Sequence, residues 1–267
     1  MAWQRIDTDP LDIDTGVAPA HARAIADALV RHALPLLRLA EGRAEPLASA
    51  ALFHLDGRVV LLTCRHIFDD GVALGDLAVP RAHGFGVLGL AQLAARVIGH
   101  PQRDLALIEL APGRRRDELL RQWPAVPLAD DALADFDLAD EDAAVPSLFF
   151  VLAGWPYAQM RRVESIVYAR PVVFFAPAAP GGDGLGLRVR YARVARRSDG
   201  VHVHAPALDG VSGATLWAVR GVRGDMEAGQ PCVLRPVAVQ CAFKHDAYAR
   251  AEPWRDAGGL LERVLRR

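Results

Sequence analysis

The chain has 267 residues, of which 52% are hydrophobic and 24% charged, and its formal charge is −1. That length supports a sizeable core in one large domain or two small ones. The near-neutral balance excludes an electrostatic drive toward nucleic acid or an anionic membrane surface, so neither is expected as a partner.

Residues 1–20 carry Asp7, Asp9, Asp12 and Asp14 against one arginine, Arg5. This is the opposite of the basic start and apolar core of a secretion signal. Apolar runs such as residues 148–156 reach about half of the roughly 20 residues that a membrane helix needs. Cys64, Cys232 and Cys241 make neither a disulfide framework nor a spaced metal motif, so a reducing cytoplasm is the expected compartment. Lys244 is the one lysine among the basic residues, the bias of GC-rich bacterial coding.

Taken in order, "HARAIADALVRHALPLLRLAEG" at 21–42 has apolar residues at helical spacing and predicts one amphipathic helix, broken near Pro35. From Pro46 the pattern changes to two apolar runs joined at Asp56–Gly57, a hairpin signal. "ARVIGHPQRDLALIELA" continues with strand-like residues around a Pro turn. A polar stretch follows, with Arg114–Arg115–Arg116 and seven acidic residues between Asp130 and Asp142, which reads as a solvated connector. Short strands resume at residue 147 and are separated mostly by Gly or Pro turns. The final "GGLLERVLRR" returns to helical spacing. Many short strands with frequent turns favour an all-β barrel or sandwich over βαβ units. The expected divisions are a helical extension at 1–45, a first β unit with its connector at 46–145, a second at 146–245 and a terminal helix at 246–267.

Three stretches carry chemistry: "TCRHIF" with His66, "HPQRDLALIEL" with Asp104, and "LDGVSGATLW" with Ser212. A serine hydroxyl is a poor nucleophile at neutral pH and needs an adjacent base. Imidazole titrates in the right range, and a carboxylate fixes its tautomer and stabilises the imidazolium. Glycines around the serine leave room for backbone N–H groups aimed at an oxyanion.

In these stretches the sequence resembles the chymotrypsin-like (trypsin-like) serine peptidases, and particularly their bacterial members, over residues 46 to 245. Thr63-Cys64-Arg65-His66 matches the stretch that holds the family's base. Asp104-Leu105-Ala106-Leu107-Ile108 matches the strand opened by its carboxylate, and Gly210-Val211-Ser212-Gly213-Ala214 matches the segment around its nucleophile. The order His, Asp, Ser is also the family's.

The resemblance implies two six-stranded antiparallel β-barrels with the site in the cleft between them. It implies His66, Asp104 and Ser212 as catalytic residues, the amides of Gly210 and Ser212 as the oxyanion hole, a protein or peptide substrate, and no cofactor or metal. The residues before Gly210 and the strand "VAVQCAF" should wall the pocket for the substrate side chain. That predicts small or medium apolar side chains, with Glu or Asp as a minority preference if His202 or His204 turns inward. Val211 replaces the family's usual Asp, so an activating ion pair with a newly cut N-terminus is not expected. Ala214 replaces a glycine and should place a methyl near the path of the scissile peptide. A cytoplasmic peptidase needs restraint, by narrow specificity or by a regulatory protein partner, for which the N-terminal helix is the candidate dock.

Other readings of these residues stay open. Gly210-x-Ser212-x-Ala214 fits a loose nucleophile elbow, although His245 is the one histidine after it, where that fold needs its base. The same chain read as an inactive member of the fold would be a binding or scaffold module. His202 and His204 alternate at a spacing that can ligate zinc, but no third ligand has recognisable spacing. Cys64, beside the base, reads as a small buried hydrophobe.

Overall fold

The computed structural model describes the chain except residues 42, 70, 83–84, 129–148, 180–185, 221–231, 255–259 and 261–267. Two curled, mostly antiparallel sheets dominate it. The first runs in the order Val87–Gly89, Leu77–Pro80, Leu34–Ala40, Arg43–Leu55, Arg58–Thr63, Ala106–Leu110, Ala94–Gly99. The short strand Val126–Pro127 pairs in parallel with Phe53–His54 of that sheet. The second sheet is ordered Leu187–Tyr191, Ala247–Pro253, Val233–Lys244, Thr215–Arg220, Phe149–Gly154, Val172–Ala176, Leu11–Asp12, Val194–Arg197, His202–His204. A small sheet of Ala2–Arg5, Ile166–Ala169 and Met160–Val163 stands apart from both.

The hairpin at Asp56–Gly57 forms as its sequence predicts. Asp56 (φ 45°) and Gly57 (φ 74°) both take the left-handed conformation of a two-residue turn, with Leu55 opposite Arg58. The strands around it bury nearly every side chain, from Ala50 to Phe53 and from Val59 to Thr63. Between the sheets, Trp155 is wholly buried, and the rings of Trp3 (5.5 Å) and Trp123 (6.2 Å) meet it edge-on. Its indole N–H donates to Ala33 O at 2.9 Å, which satisfies the one polar atom of a buried ring.

Several expected boundaries move. The helix is Pro19–Val30, and Leu34–Ala40 is a strand paired with Arg43–Ala50. Pro35 lacks the N–H that a continuing helix needs, whereas on a strand it is accommodated opposite Ser49. Leu34–Ala40 is therefore a strand of the first sheet rather than the end of the helix. The helix turns Ala22, Ile25, Ala26, Leu29 and Val30 inward, and it packs on Phe149–Gly154 and Val172–Ala176 of the second sheet.

Arg114–Gln122, expected as part of a solvated connector, is a helix anchored by buried Leu119. The acidic run at 130–142 lies outside the described residues. The strand Ala247–Pro253 occupies the start of the expected terminal helix, because it completes the pairing of Gln240–Lys244. Most of "GGLLERVLRR" lies outside the described residues. No helix among those described is long and apolar enough to cross a membrane.

Candidate active site

His66 stands just past the strand Arg58–Thr63, at the start of a single helical turn, His66–Asp69. Asp104 lies in the turn that leads into Ala106–Leu110, the neighbouring strand. Adjacent strands thus bring the two side chains together. His66 Nδ1 is 2.7 Å from Asp104 Oδ2, and the His66 amide donates to Asp104 Oδ1 at 2.8 Å. With the carboxylate accepting at Nδ1, the lone pair of the neutral imidazole belongs to Nε2.

The turn bearing Asp104 is held in place from both sides. Arg65 Nη1 donates to His100 O at 2.7 Å, and His100 Nδ1 accepts the amides of Gln102 and Arg103. Arg103 also reaches buried Glu252 of the second sheet, at 3.9 Å. Burial pushes the Asp104 carboxyl up. Hydrogen bonds from the His66 ring and amide, the His66 charge and the Arg65 amide outweigh that effect and leave it below the usual carboxylate range.

Ser212 sits on a turn before Thr215–Arg220, flanked by Gly210 (φ 90°) and Gly213 (φ 91°). Neither glycine is replaceable. A Cβ on Gly210 would lie 2.4 Å from the Tyr157 ring, and one on Gly213 would lie 2.0 Å from Ser49 O. Gly213→Ala is therefore expected to cost about 3 kcal/mol or more, through both clash and backbone strain. Thermal unfolding of the purified variant checks it.

The amides around Ser212 divide into two sets. Those of Val211, Gly213 and Ala214 donate to Leu208 O, Gln240 O and Val211 O, at 2.9, 2.7 and 2.9 Å. Among the described residues, no acceptor takes the amides of Gly210 or Ser212. Two donors beside one hydroxyl, uncommitted within the fold, suit a developing oxyanion.

The turn is fastened to the residues beside His66. Ser49 N–H donates to Ser212 O at 2.7 Å, and Ser49 O accepts the Thr63 hydroxyl at 2.9 Å. Gln240 O accepts both the Gly213 amide and the Cys64 thiol, the latter at 3.0 Å. Among the described residues no hydrogen bond joins the Ser212 hydroxyl to His66. A nucleophile–base contact that closes only with substrate is compatible with this arrangement.

Two sequence departures acquire a structural meaning. Val211 is wholly buried, and a Cβ on Gly154 would lie 2.6 Å from its Cγ1. An Asp there would bury a charge in an apolar contact. Ala214 is also wholly buried, and the same Gly154 Cβ would lie 3.1 Å from its methyl. That methyl faces the core rather than the path of a scissile peptide, contrary to the expectation from sequence.

Cys64 is the third member of a group with His66 and Asp104 whose ligand atoms lie within 4.8 Å of one another. Burial pushes its thiol well above the ordinary range, and both Asp104 oxygens already accept from His66. The set fits a hydrogen-bonded dyad over a buried thiol better than a metal cage. His202 and His204 are exposed on the outermost strand of the second sheet, and no third ligand joins them among the described residues.

Sequence reasoning missed Ser49 and Tyr157. Tyr157 covers Gly210, its amide donates to Asp209 O at 2.8 Å, and its hydroxyl donates to Leu47 O. Burial, then the Asp209 charge, pushes its phenol up to about 12, so it stays a donor.

No family model matches the sequence, and neither does any curated protein. The fold, in contrast, has solved counterparts. A thermostable serine protease from an extremophilic microorganism superposes with a TM-score of 0.51 at 11% identity, over 90% of this chain and 98% of that one. The protein HBP gives 0.49 at 14%, over 89% and 92%. Together with the two curled sheets, the first of these likenesses shows that the chain has the chymotrypsin-like fold.

Proposed function

We propose that the chain is a serine endopeptidase. Ser212 attacks the substrate carbonyl, His66 Nε2 takes the proton and returns it to the leaving amine, and Asp104 orients His66. The amides of Gly210 and Ser212 hold the oxyanion. The observation that carries this reading is the His66–Asp104 pair at 2.7 Å, fastened through Ser49 and Gln240 to a turn with two uncommitted amides. Activation by a newly cut N-terminus has no counterpart here, because Val211 offers no carboxylate. Restraint falls instead to narrow specificity or a protein partner, in a reducing compartment that keeps Cys64, Cys232 and Cys241 as thiols. A fluorophosphonate probe tests the reading: labelling of the native chain at Ser212 supports it, and an unlabelled chain overturns it.

The uncommitted Ser212 hydroxyl favours a second reading, an inactive fold that serves as a binding module. It predicts no labelling and tight binding of an intact peptide.

Specificity follows from the walls of the cleft. The Tyr191 hydroxyl donates to Pro206 O, and its buried ring packs edge-on against Phe243 at 6.2 Å. Tyr191 thus joins the segment before Gly210 to the strand Val233–Lys244, which would leave a P1 side chain entering there little depth. Small P1 residues are expected, with neither Lys nor Arg favoured; His202 and His204 are exposed on the outermost strand of the second sheet. Phe243→Ala removes a ring that fills space and should raise cleavage after larger apolar residues about 10-fold or more, at roughly 25 cal/mol per Å² buried. A peptide-library cleavage profile of both proteins decides it.

A further inference from the structure

We propose that Ser49 is a positioning residue that holds the nucleophile turn so that its free amides face the cleft. This rests on the peptidase reading above and adds to it a residue outside the three expected from sequence. Ser49 lies on Arg43–Leu55 of the first sheet, wholly buried among apolar neighbours. Its hydroxyl donates to Gly210 O at 2.9 Å and accepts the Trp155 amide at 3.0 Å. Its own amide donates to Ser212 O at 2.7 Å. One residue of the first sheet therefore grips the carbonyls of Gly210 and Ser212, on either side of Val211.

Peptide planarity turns those grips into orientation. In a trans peptide the C=O and N–H point in opposite directions, so fixing one fixes the other. Ser49 fixes the Gly210–Val211 and Ser212–Gly213 units through their carbonyls. Tyr157 N–H fixes Asp209 O, and Ala214 N–H fixes Val211 O, at 2.8 and 2.9 Å. The latter two units carry the Gly210 and Ser212 amides and alternate along the turn with the two that Ser49 fixes, so Ser49 acts on the free amides by holding the peptide units next to them.

No slack remains around the hydroxyl. A Cβ on Gly154 would stand 3.3 Å from Ser49 Oγ, and a Cβ on Gly213 would overlap Ser49 O. Removing the hydroxyl leaves Gly210 O and the Trp155 amide without a shared partner, and the turn gains freedom where the oxyanion forms.

The test compares wild type with Ser49→Ala by three measurements. These are the rate of fluorophosphonate labelling, the affinity for a peptide boronic acid that forms a tetrahedral adduct, and KM for a peptide substrate. Labelling rate and adduct affinity should fall together by roughly 10- to 100-fold, the scale of a misplaced oxyanion donor, while KM changes less than about 3-fold. A purely structural role would lower Tm without moving labelling and adduct affinity in parallel. If Ser49→Ala does not fold, Ser49→Cys, a weaker donor of similar size, should show a smaller loss in the same two measurements. Wild-type labelling and adduct affinity in the folded variant would overturn the proposal, as would a loss carried by KM alone. A wild-type chain that the probe leaves unlabelled overturns the peptidase reading and this inference with it.

Discussion

Ser212→Ala should abolish fluorophosphonate labelling and lower peptide hydrolysis by on the order of 10⁴ to 10⁶, with the fold intact. The loss is large because no other group replaces the nucleophile. The Cys64 thiol is wholly buried, donates to Gln240 O and is held protonated. The thermal cost should be small, about 0.5 kcal/mol or less, because the hydroxyl makes no hydrogen bond among the described residues and the side chain is half-buried. The backbone contacts that hold the turn, from Ser49 N–H to Ser212 O and from Gly213 N–H to Gln240 O, survive the substitution. Hydrolysis by the variant at the wild-type rate would exclude the peptidase mechanism, and a large fall in Tm would show that Ser212 has a structural role.

What could be read in the sequence depended on how local the cause was. The turn at Asp56–Gly57 is encoded by two residues, and the strands it joins by the apolar runs beside it. His66, Asp104 and Ser212 stand out as candidates because each lies in a short stretch with its own pattern, and the fold pairs the first two. Leu34–Ala40 was misread because a continuous apolar run fits a buried strand and a helix equally well. Only its pairing with Arg43–Ala50 settles the matter. Arg114–Gln122 hid behind its charges, since one buried leucine anchors it.

Ser49 was the costliest miss. Its partner Gly210 is 161 residues away, a separation no local pattern reports. The available signal was a single hydroxyl inside the otherwise apolar "LASAALF", where a buried polar group must find a partner. The outward-facing reading of the Ala214 methyl failed for a related reason: the direction of a side chain on a turn depends on Gly154, from another strand.

Asp104→Asn should reduce turnover near neutral pH by about 10⁴-fold, with activity partly recovered at high pH, where another base substitutes. In the native pair the carboxylate accepts from Nδ1, and the His66 amide donates to its second oxygen. An Asn in the same position has one accepting oxygen and one donating amide for these two donors. If the His66 amide keeps the oxygen, the NH₂ faces Nδ1 and selects the tautomer protonated at Nε2, which cannot take the Ser212 proton. The substitution should also change acid stability. The Asp104 carboxyl is held below its ordinary range in the fold, so its contribution is present above the unfolded value and is lost as pH falls through the folded one. Asp104→Asn should therefore be less stable than wild type near neutral pH, and the gap should close as pH drops below the usual carboxylate range. Tm measured against pH for both proteins, beside the pH–rate profile, checks the two halves separately. A gap independent of pH would mean that the carboxylate's charge contributes nothing to the pair.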